Sequence, residues 1–247
     1  MPAPHPVSGK RYWLVGASEG LGATLAQQMS AAGAELVLSA RSADKLEALA
    51  ASLPGPAQAV PCDVQNTESV AAVATLAGRI DGVIWLAGVY WPMRAQDIFG
   101  PKAEAMADVN FTGALRVLAE ALPPMIARDE GHIVITGSLS GFRGLPGAIG
   151  YGASKAACMS LAESLHADLH RTGIRVQLAN PGFIRTRLTA KNDFTMPFLM
   201  EPESAAAAMM RLMRHPRRFK ANFPRVFSWL FRGAQFMPEW LYLRLFA

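Results

Sequence analysis

Short apolar runs alternate strictly with longer segments of helical period along most of this 247-residue chain, and that alternation leaves few folds open. Six runs read as strands: 11–15 (RYWLV), 35–39 (ELVLS), 57–61 (AQAVP), 81–87 (DGVIWLA), 131–136 (GHIVIT) and 174–179 (IRVQLA). Ala/Leu-rich helical patterns fill the gaps at 21–32, 42–52, 66–78, 101–128 and 150–172, with a further helix expected near 203–214. Strand, helix and strand in repeated succession build βαβ units, hence a parallel sheet with right-handed crossovers. The prediction is an α/β fold, a three-layer doubly wound parallel sheet, with residues 1–247 as a single domain. A chain that is 51% apolar and 17% charged suits a sheet covered on both faces and excludes a disordered one.

Several function classes drop out on composition. Cys62 and Cys158 are far apart and lie in no CxxC or Cys/His ligand spacing, so we expect reduced thiols of a cytoplasmic protein and no metal site. Residues 1–9 are Pro-rich without an apolar core, unlike a secretory leader. No uninterrupted apolar stretch reaches the ~18 residues of a membrane span. The net charge of +5 is local: residues 211–247 hold eight Lys/Arg against Glu239 alone, and the rest of the chain holds sixteen bases and eighteen acids. The body of the protein therefore gives no basis for nucleic-acid binding.

In an open parallel sheet the ligand sits outside the carboxyl ends of the strands, so chemistry should gather just after them. The first strand runs into Gly16-Ala-Ser-Glu-Gly20-Leu-Gly22 and then a helix. Gly16 permits a tight turn, Gly20 and Gly22 allow close approach of backbone and helix, and the helix N-terminus offers free N–H groups to an anion. Ser18, Glu19 and Leu21 lie within this expected cofactor-binding turn, a Rossmann-like strand–turn–helix. The second strand ends Leu38-Ser39-Ala40-Arg41. NAD-dependent proteins usually place an acid there for the ribose hydroxyls; the guanidinium of Arg41 instead suits a 2′-phosphate. NADP(H) is therefore favoured over NAD(H), although Glu19 weighs against it. Asp63, followed by Val64 after the third strand, could accept an adenine amino group or cap the helix beginning near Asn66.

After the fifth strand comes Ser138, and thirteen residues later Tyr151-Gly-Ala-Ser-Lys155. Tyr and Lys at i and i+4 share one helix face. A phenol titrates near 10 in water; a nearby ammonium and an oxidised, cationic nicotinamide would lower that value and make it a proton donor and acceptor at neutral pH. With Gly16xxxGly20xGly22, Asp63, Ala87-Gly88, Asn110, Ser138, Tyr151, Lys155 and Pro181-Gly182xxxThr186 in this order, the chain resembles the short-chain dehydrogenase/reductase family of the Tyr-x-x-x-Lys type over about residues 10–190.

The resemblance implies an alcohol dehydrogenase or carbonyl reductase. Tyr151 would be the general acid/base, and Ser138 would hydrogen-bond the carbonyl oxygen. Lys155 would hold the nicotinamide ribose and depress the Tyr151 pKa, while Asn110 would fix a water linking Lys155 to solvent. Ala87, Gly88, Pro181, Gly182 and Thr186 would line the cofactor. Ser140 is a second hydroxyl nearby, at a distance from Tyr151 that does not suit the role. Val15 and Leu86 stand where the family often has Thr and Asn, which touches scaffold hydrogen bonding only. A catalytically silent dinucleotide-binding regulator or scaffold would share the fold, but loss of Tyr151 or Lys155 would mark it, and both are present.

The loops 89–99, 139–149 and 183–200 should face a small-molecule substrate, the last as a lid. They carry Tyr90, Trp91, Met93, Phe142, Leu145, Phe194, Met196, Phe198 and Met200, an apolar and adaptable set that suits a lipophilic ketone or secondary alcohol. The basic, aromatic extension 217–247 closes with Pro238 opening a short amphipathic helix. It could pack on a sister subunit in a homodimer or homotetramer, cover the substrate mouth, or contact a membrane surface peripherally.

Overall fold

The computed structural model describes residues 5–246; residues 1–4 and 247, the two ends of the expected 1–247 domain, lie outside the described residues. In chain order the strands and helices are β1 Arg11–Val15, α1 Gly20–Ala31, β2 Glu35–Ser39, α2 Ala43–Ser52, β3 Ala57–Ala59, α3 Thr67–Ala77, β4 Gly82–Trp85, α4 Gly100–Ala107, α5 Gly113–Ala127, β5 Gly131–Thr136, α6 Ile149–Leu169, β6 Ile174–Pro181, α7 Pro202–Arg214, β7 Lys220–Phe223, α8 Arg225–Ala234 and α9 Glu239–Phe246. Among the described residues the strands form one seven-stranded sheet, order β3-β2-β1-β4-β5-β6-β7, with every pairing parallel. This is the Rossmann-like arrangement that the alternating pattern predicts. Strand order reverses between β1 and β4, and Val15 is level with both Ser39 and Trp85. The loops that follow these strands therefore open at one edge, where a crevice forms.

The period-two geometry of a strand explains why both faces are buried. Along β1, Trp13 and Val15 join a core with Val73 of α3, Val117 of α5 and Ala162 of α6. Tyr12 and Leu14 point the other way, into a core with Leu25 of α1, Leu46 of α2 and Met209 of α7. Each large apolar side chain buried in this way contributes about 1.5–3 kcal/mol.

Several elements depart from the sequence reading, α8 among them, since the tail is expected to hold only the short helix opening at Pro238. β7 was not among the expected strands, because four residues inside a basic, aromatic tail carry no readable period; its register with β6, Leu178 to Lys220 through Pro181 to Phe223, is a tertiary choice. The expected helix 101–128 is interrupted by a π-helical turn, Asp108–Thr112. β3 stops at Ala59, although Val60 N and Cys62 N still donate to Leu38 O and Ala40 O; Pro61 is tolerated because its N faces the open edge of the sheet.

At the amino end of the sheet His132 is buried between neighbouring strands. Its Nδ1 accepts from Tyr12 Oη at 2.8 Å and from Arg175 Nη2 at 2.8 Å, and its Nε2 lies 2.9 Å from Gln177 Oε1. Burial, and then the Arg175 charge, push its pKa down to about 3. The unfolded chain binds this proton near 6.5, so the residue's contribution to stability is complete above that value and lost as pH falls from 6.5 towards 3. Urea midpoints should fall across this window with a contribution of at most ~1.4 kcal/mol per pH unit from this residue. His132→Gln, though less stable at neutral pH, should show a shallower fall; an unchanged slope would refute the account.

Candidate active site

The turn after β1 is built by its glycines. Gly16 has φ +97°, and a Cβ there would lie 2.5 Å from Ala87 N; Gly20 has φ +55°, and a Cβ would lie 2.9 Å from Thr186 Cγ2. Gly16 N and Ala17 N both donate to Ser39 O, and Leu86 N donates to Val15 O, so backbone alone knits the strand ends where Val15 and Leu86 replace polar residues. Helix α1 starts at Gly20 without a side-chain cap from Glu19, which leaves its first N–H groups for an anion.

A cleft of about 270 Å³ follows this edge. All of the expected cofactor residues are on its wall: Gly16, Ser18, Glu19, Gly20, Leu21, Gly22, Arg41, Asp63, Val64, Ala87, Gly88, Tyr151, Lys155, Pro181, Gly182 and Thr186. Of the two readings of Asp63, helix capping is taken by another residue: Asn66 Oδ1 accepts from Ser69 N at 3.0 Å, and Asp63 Oδ1 accepts only from Gln65 N nearby. Glu19 is less of an obstacle to a phosphate than its sign suggests. It pairs with Lys45 at 2.9 Å and with Arg187, from the lid segment, at 2.6 Å. Although burial opposes ionisation, hydrogen bonds from these two cations hold its carboxyl below the usual range.

Tyr151 and Lys155 lie on one face of α6 and both line the cleft, with Lys155 Nζ 5.9 Å from the Tyr151 ring centroid. Lys155 Nζ donates to Thr136 O at 3.0 Å, which ties α6 to the end of β5. In the chain by itself the Tyr151 pKa is pushed up to about 12, because burial outweighs the opposing hydrogen bond from Ser138; the expected depression also draws on the cationic nicotinamide. Lys155 is itself pushed down by burial, so the protein alone does not prepare a phenolate.

Asn110 has a structural place besides the expected one beside Lys155. The π-helical turn buries it beneath the 88–89 loop, where Nδ2 donates to Val89 O at 3.0 Å and to Ser154 Oγ at 2.9 Å, while Oδ1 accepts from Val89 N at 2.7 Å. Its carbonyl accepts from Trp85 Nε1 and from Cys158 Sγ. With these protein partners, it acts as a brace for the loop after β4. Ser140 was undervalued: the short 3₁₀ turn Leu139–Gly141 brings its Oγ within 2.9 Å of Ser138 Oγ, so it orients that hydroxyl.

A second cavity of about 390 Å³ adjoins the first, and Tyr151 lines both; Ser138 and Ser140 line the second. Of the expected apolar set, Tyr90, Met93, Leu145 and Phe194 line it, whereas Trp91, Phe142, Met196, Phe198 and Met200 do not. Trp91 instead lies under Lys191, and Phe142 packs in the cluster of Leu139, Phe227 and Phe231. The unexpected wall is α8, whose Phe227 and Phe231 enter from the tail. Tyr90 packs edge-on against Tyr151 with centroids 5.0 Å apart and donates to Asn192 Oδ1, which joins the 89–99 loop to the lid. Tyr90 and Asn192 carry no local motif, so only the folded chain reveals the pair.

The cleft fits a nicotinamide dinucleotide. The glycine turn leaves room that a Cβ would fill, and Thr136 Oγ1, on the cleft wall, is buried without a partner among the described residues. No group of side chains that could hold a metal occurs among the described residues. A family model described as short chain dehydrogenase matches residues 10–196. An uncharacterized oxidoreductase of Myxococcus xanthus is 38% identical over 203 residues, covering 79% of this chain and 80% of that protein. One of Staphylococcus epidermidis is 33% identical over 213 residues, covering 85% of this chain and 93% of that protein. Among solved structures, a short-chain dehydrogenase from Sphingobium yanoikuyae in complex with NADPH is 29% identical, with TM-score 0.82 over 92% of this chain and 93% of that chain. A short-chain dehydrogenase from Streptomyces avermitilis, 24% identical, has the same fold, with TM-score 0.83 over 96% of each chain.

The raised phenol is open to measurement. In the cofactor-free protein, tyrosinate absorbance of wild type minus Tyr151→Phe, read by rapid pH jump, should show no ionisation of this residue below its ordinary value near 10. A difference signal that titrates near neutrality would overturn the account.

Proposed function

The chain belongs to the short-chain dehydrogenase/reductase family, and from that premise we propose that it moves hydride between NADP(H) and a lipophilic ketone or secondary alcohol. One observation carries the reading: Tyr151 stands where the glycine-turn cleft meets the apolar cavity and lines both. When bound, the dinucleotide supplies the hydride and, in its oxidised form, a positive charge beside the phenol. Tyr151 gives its proton to the substrate oxygen in reduction and takes it back in oxidation. Ser138, oriented by Ser140, donates a hydrogen bond to the same oxygen. Lys155, held on the Thr136 carbonyl, contributes positive charge next to the phenol and would hold the nicotinamide ribose when the dinucleotide is bound. Bringing the phenol from about 12 to neutrality needs roughly 7 kcal/mol of differential stabilisation. Since the phenol stands at about 12 with Lys155 already beside it, catalytic ionisation depends on a second positive charge.

The preference for NADP(H) is supported by Arg41 on the cleft wall and by Lys45 and Arg187, which surround Glu19. The NADPH bound by the Sphingobium relative points the same way. A charge-assisted hydrogen bond contributes about 1.5–3 kcal/mol, so Arg41→Ala should raise KM for NADPH by roughly tenfold or more. NADH kinetics should change little; an equal effect on both cofactors would place Arg41 outside phosphate recognition.

The lipophilic substrate is supported by Phe183, Phe194, Leu145, Phe227 and Phe231 around the cavity. With NADPH and a homologous series of methyl ketones, kcat/KM should rise about fourfold per added methylene until the cavity is full. Tyr151→Phe should lose about 10²–10⁴-fold in turnover with NADP(H) affinity retained. Small polar carbonyls turned over far better than the long ketones would sink the substrate class, and an active Tyr151→Phe would sink the mechanism.

A further inference from the structure

The last two helices leave an apolar face that this chain does not cover. α8 turns Phe227, Phe231 and Ala234 inward, and both phenylalanines line the apolar cavity. Val226, Trp229 and Leu230 fall outside that face, along one flank and the back of the helix at spacings of three and four, and all are exposed. Phe236, 85% exposed, then Trp240 and Leu243 continue the patch along the turn and α9. Exposed large apolar side chains gathered on one element normally mark an interaction surface. α8 buries one face in the core, and its exposed apolar residues call for a second apolar medium.

Charge decides between the candidates for that medium. Arg225, Arg232 and Arg244 are exposed around the patch and make no ion pair among the described residues. Residues 211–247 hold eight Lys/Arg and a single acid, Glu239. Two copies meeting through this face about a twofold axis would bring both sets of cations together. A phospholipid surface of negative charge meets both requirements: it attracts the guanidiniums and accepts Trp, Phe and Leu side chains at the boundary of headgroups and acyl chains.

We infer that α8 and α9 dock the protein on an anionic membrane surface. They lie on it, since no described helix is long and apolar enough to cross. The inference rests on the proposed substrate class in one respect. Between the patch and the cavity stands α8 alone, about 10 Å thick, so a lipophilic substrate would leave the bilayer beside the cavity that takes it.

Co-sedimentation of the full chain with vesicles tests the docking without any turnover. Wild type should pellet with vesicles of phosphatidylcholine and phosphatidylglycerol and stay in solution with phosphatidylcholine alone, and raised salt should weaken the binding. Combining Trp229→Ser, Phe236→Ser and Trp240→Ser should reduce binding to the anionic vesicles by about tenfold or more, with the melting temperature and NADP(H) affinity confirming an intact fold. Absence of wild-type binding, or equal binding by the triple variant, would overturn the inference. So would a lipid-free dimer in ultracentrifugation that the triple variant abolishes, which would give the face to a second copy. The substituted side chains line neither cavity, so kcat/KM for a short soluble ketone should stay level. Weak turnover of lipophilic carbonyls alongside intact vesicle binding would remove the substrate reading and leave the docking surface standing.

Discussion

An ammonium only 3% exposed to solvent, with one protein acceptor, holds this site together. Lys155 Nζ reaches across from α6 to the Thr136 carbonyl at the end of β5, and no carboxylate pairs with it among the described residues. Burying a cation in this way is costly, and the fold tolerates it because β5 and α6 are locked by their own cores. The same bond sets where Tyr151 stands, one helical turn earlier, and so where the cleft meets the cavity. Burial pushes Lys155 down and Tyr151 up: both charged forms are disfavoured, and further positive charge would favour only the phenolate. The site is thus arranged for a second component and is not self-sufficient.

Support for this arrangement comes from residues that never touch the reacting atoms. Asn110 braces Val89, Ser140 orients Ser138, and Tyr90 joins the loop after β4 to the lid through Asn192. Glu19 gathers Lys45 and Arg187, linking the glycine turn, α2 and the 183–200 segment. These contacts bring distant segments to one sheet edge, which parallel topology makes possible because successive strands end there. The tail belongs to the same system: β7 closes the sheet beside β6, and α8 walls the cavity.

The fold was legible because its signals are local and periodic. Six strands and the helices between them show in apolar spacing, and the glycine turn and the Tyr-Lys pair show as short motifs whose residues are neighbours in the chain. All sixteen expected cofactor residues come to one cleft, most because they sit at or just after strand ends on the same edge and Tyr151 and Lys155 because α6 packs beside it. β7 was illegible, since four residues have too little pattern to stand out. The π-helical turn was illegible too, since it matches the α-helical period on both sides.

The amino-acid order by itself determined the sheet, its connection pattern, and the identity of the groups able to move a proton beside a dinucleotide. Those properties depend on backbone preference and on chain neighbours, which a linear pattern records. The folded chain decided three further things. Tyr151 is pushed up to about 12 before any partner arrives, because desolvation depends on every element packed around it. Asn110 is a brace, because the turn beneath it points its amide at Val89. α8 carries apolar side chains on two sides and buries only one, because a residue's exposure is settled by what the rest of the chain leaves uncovered.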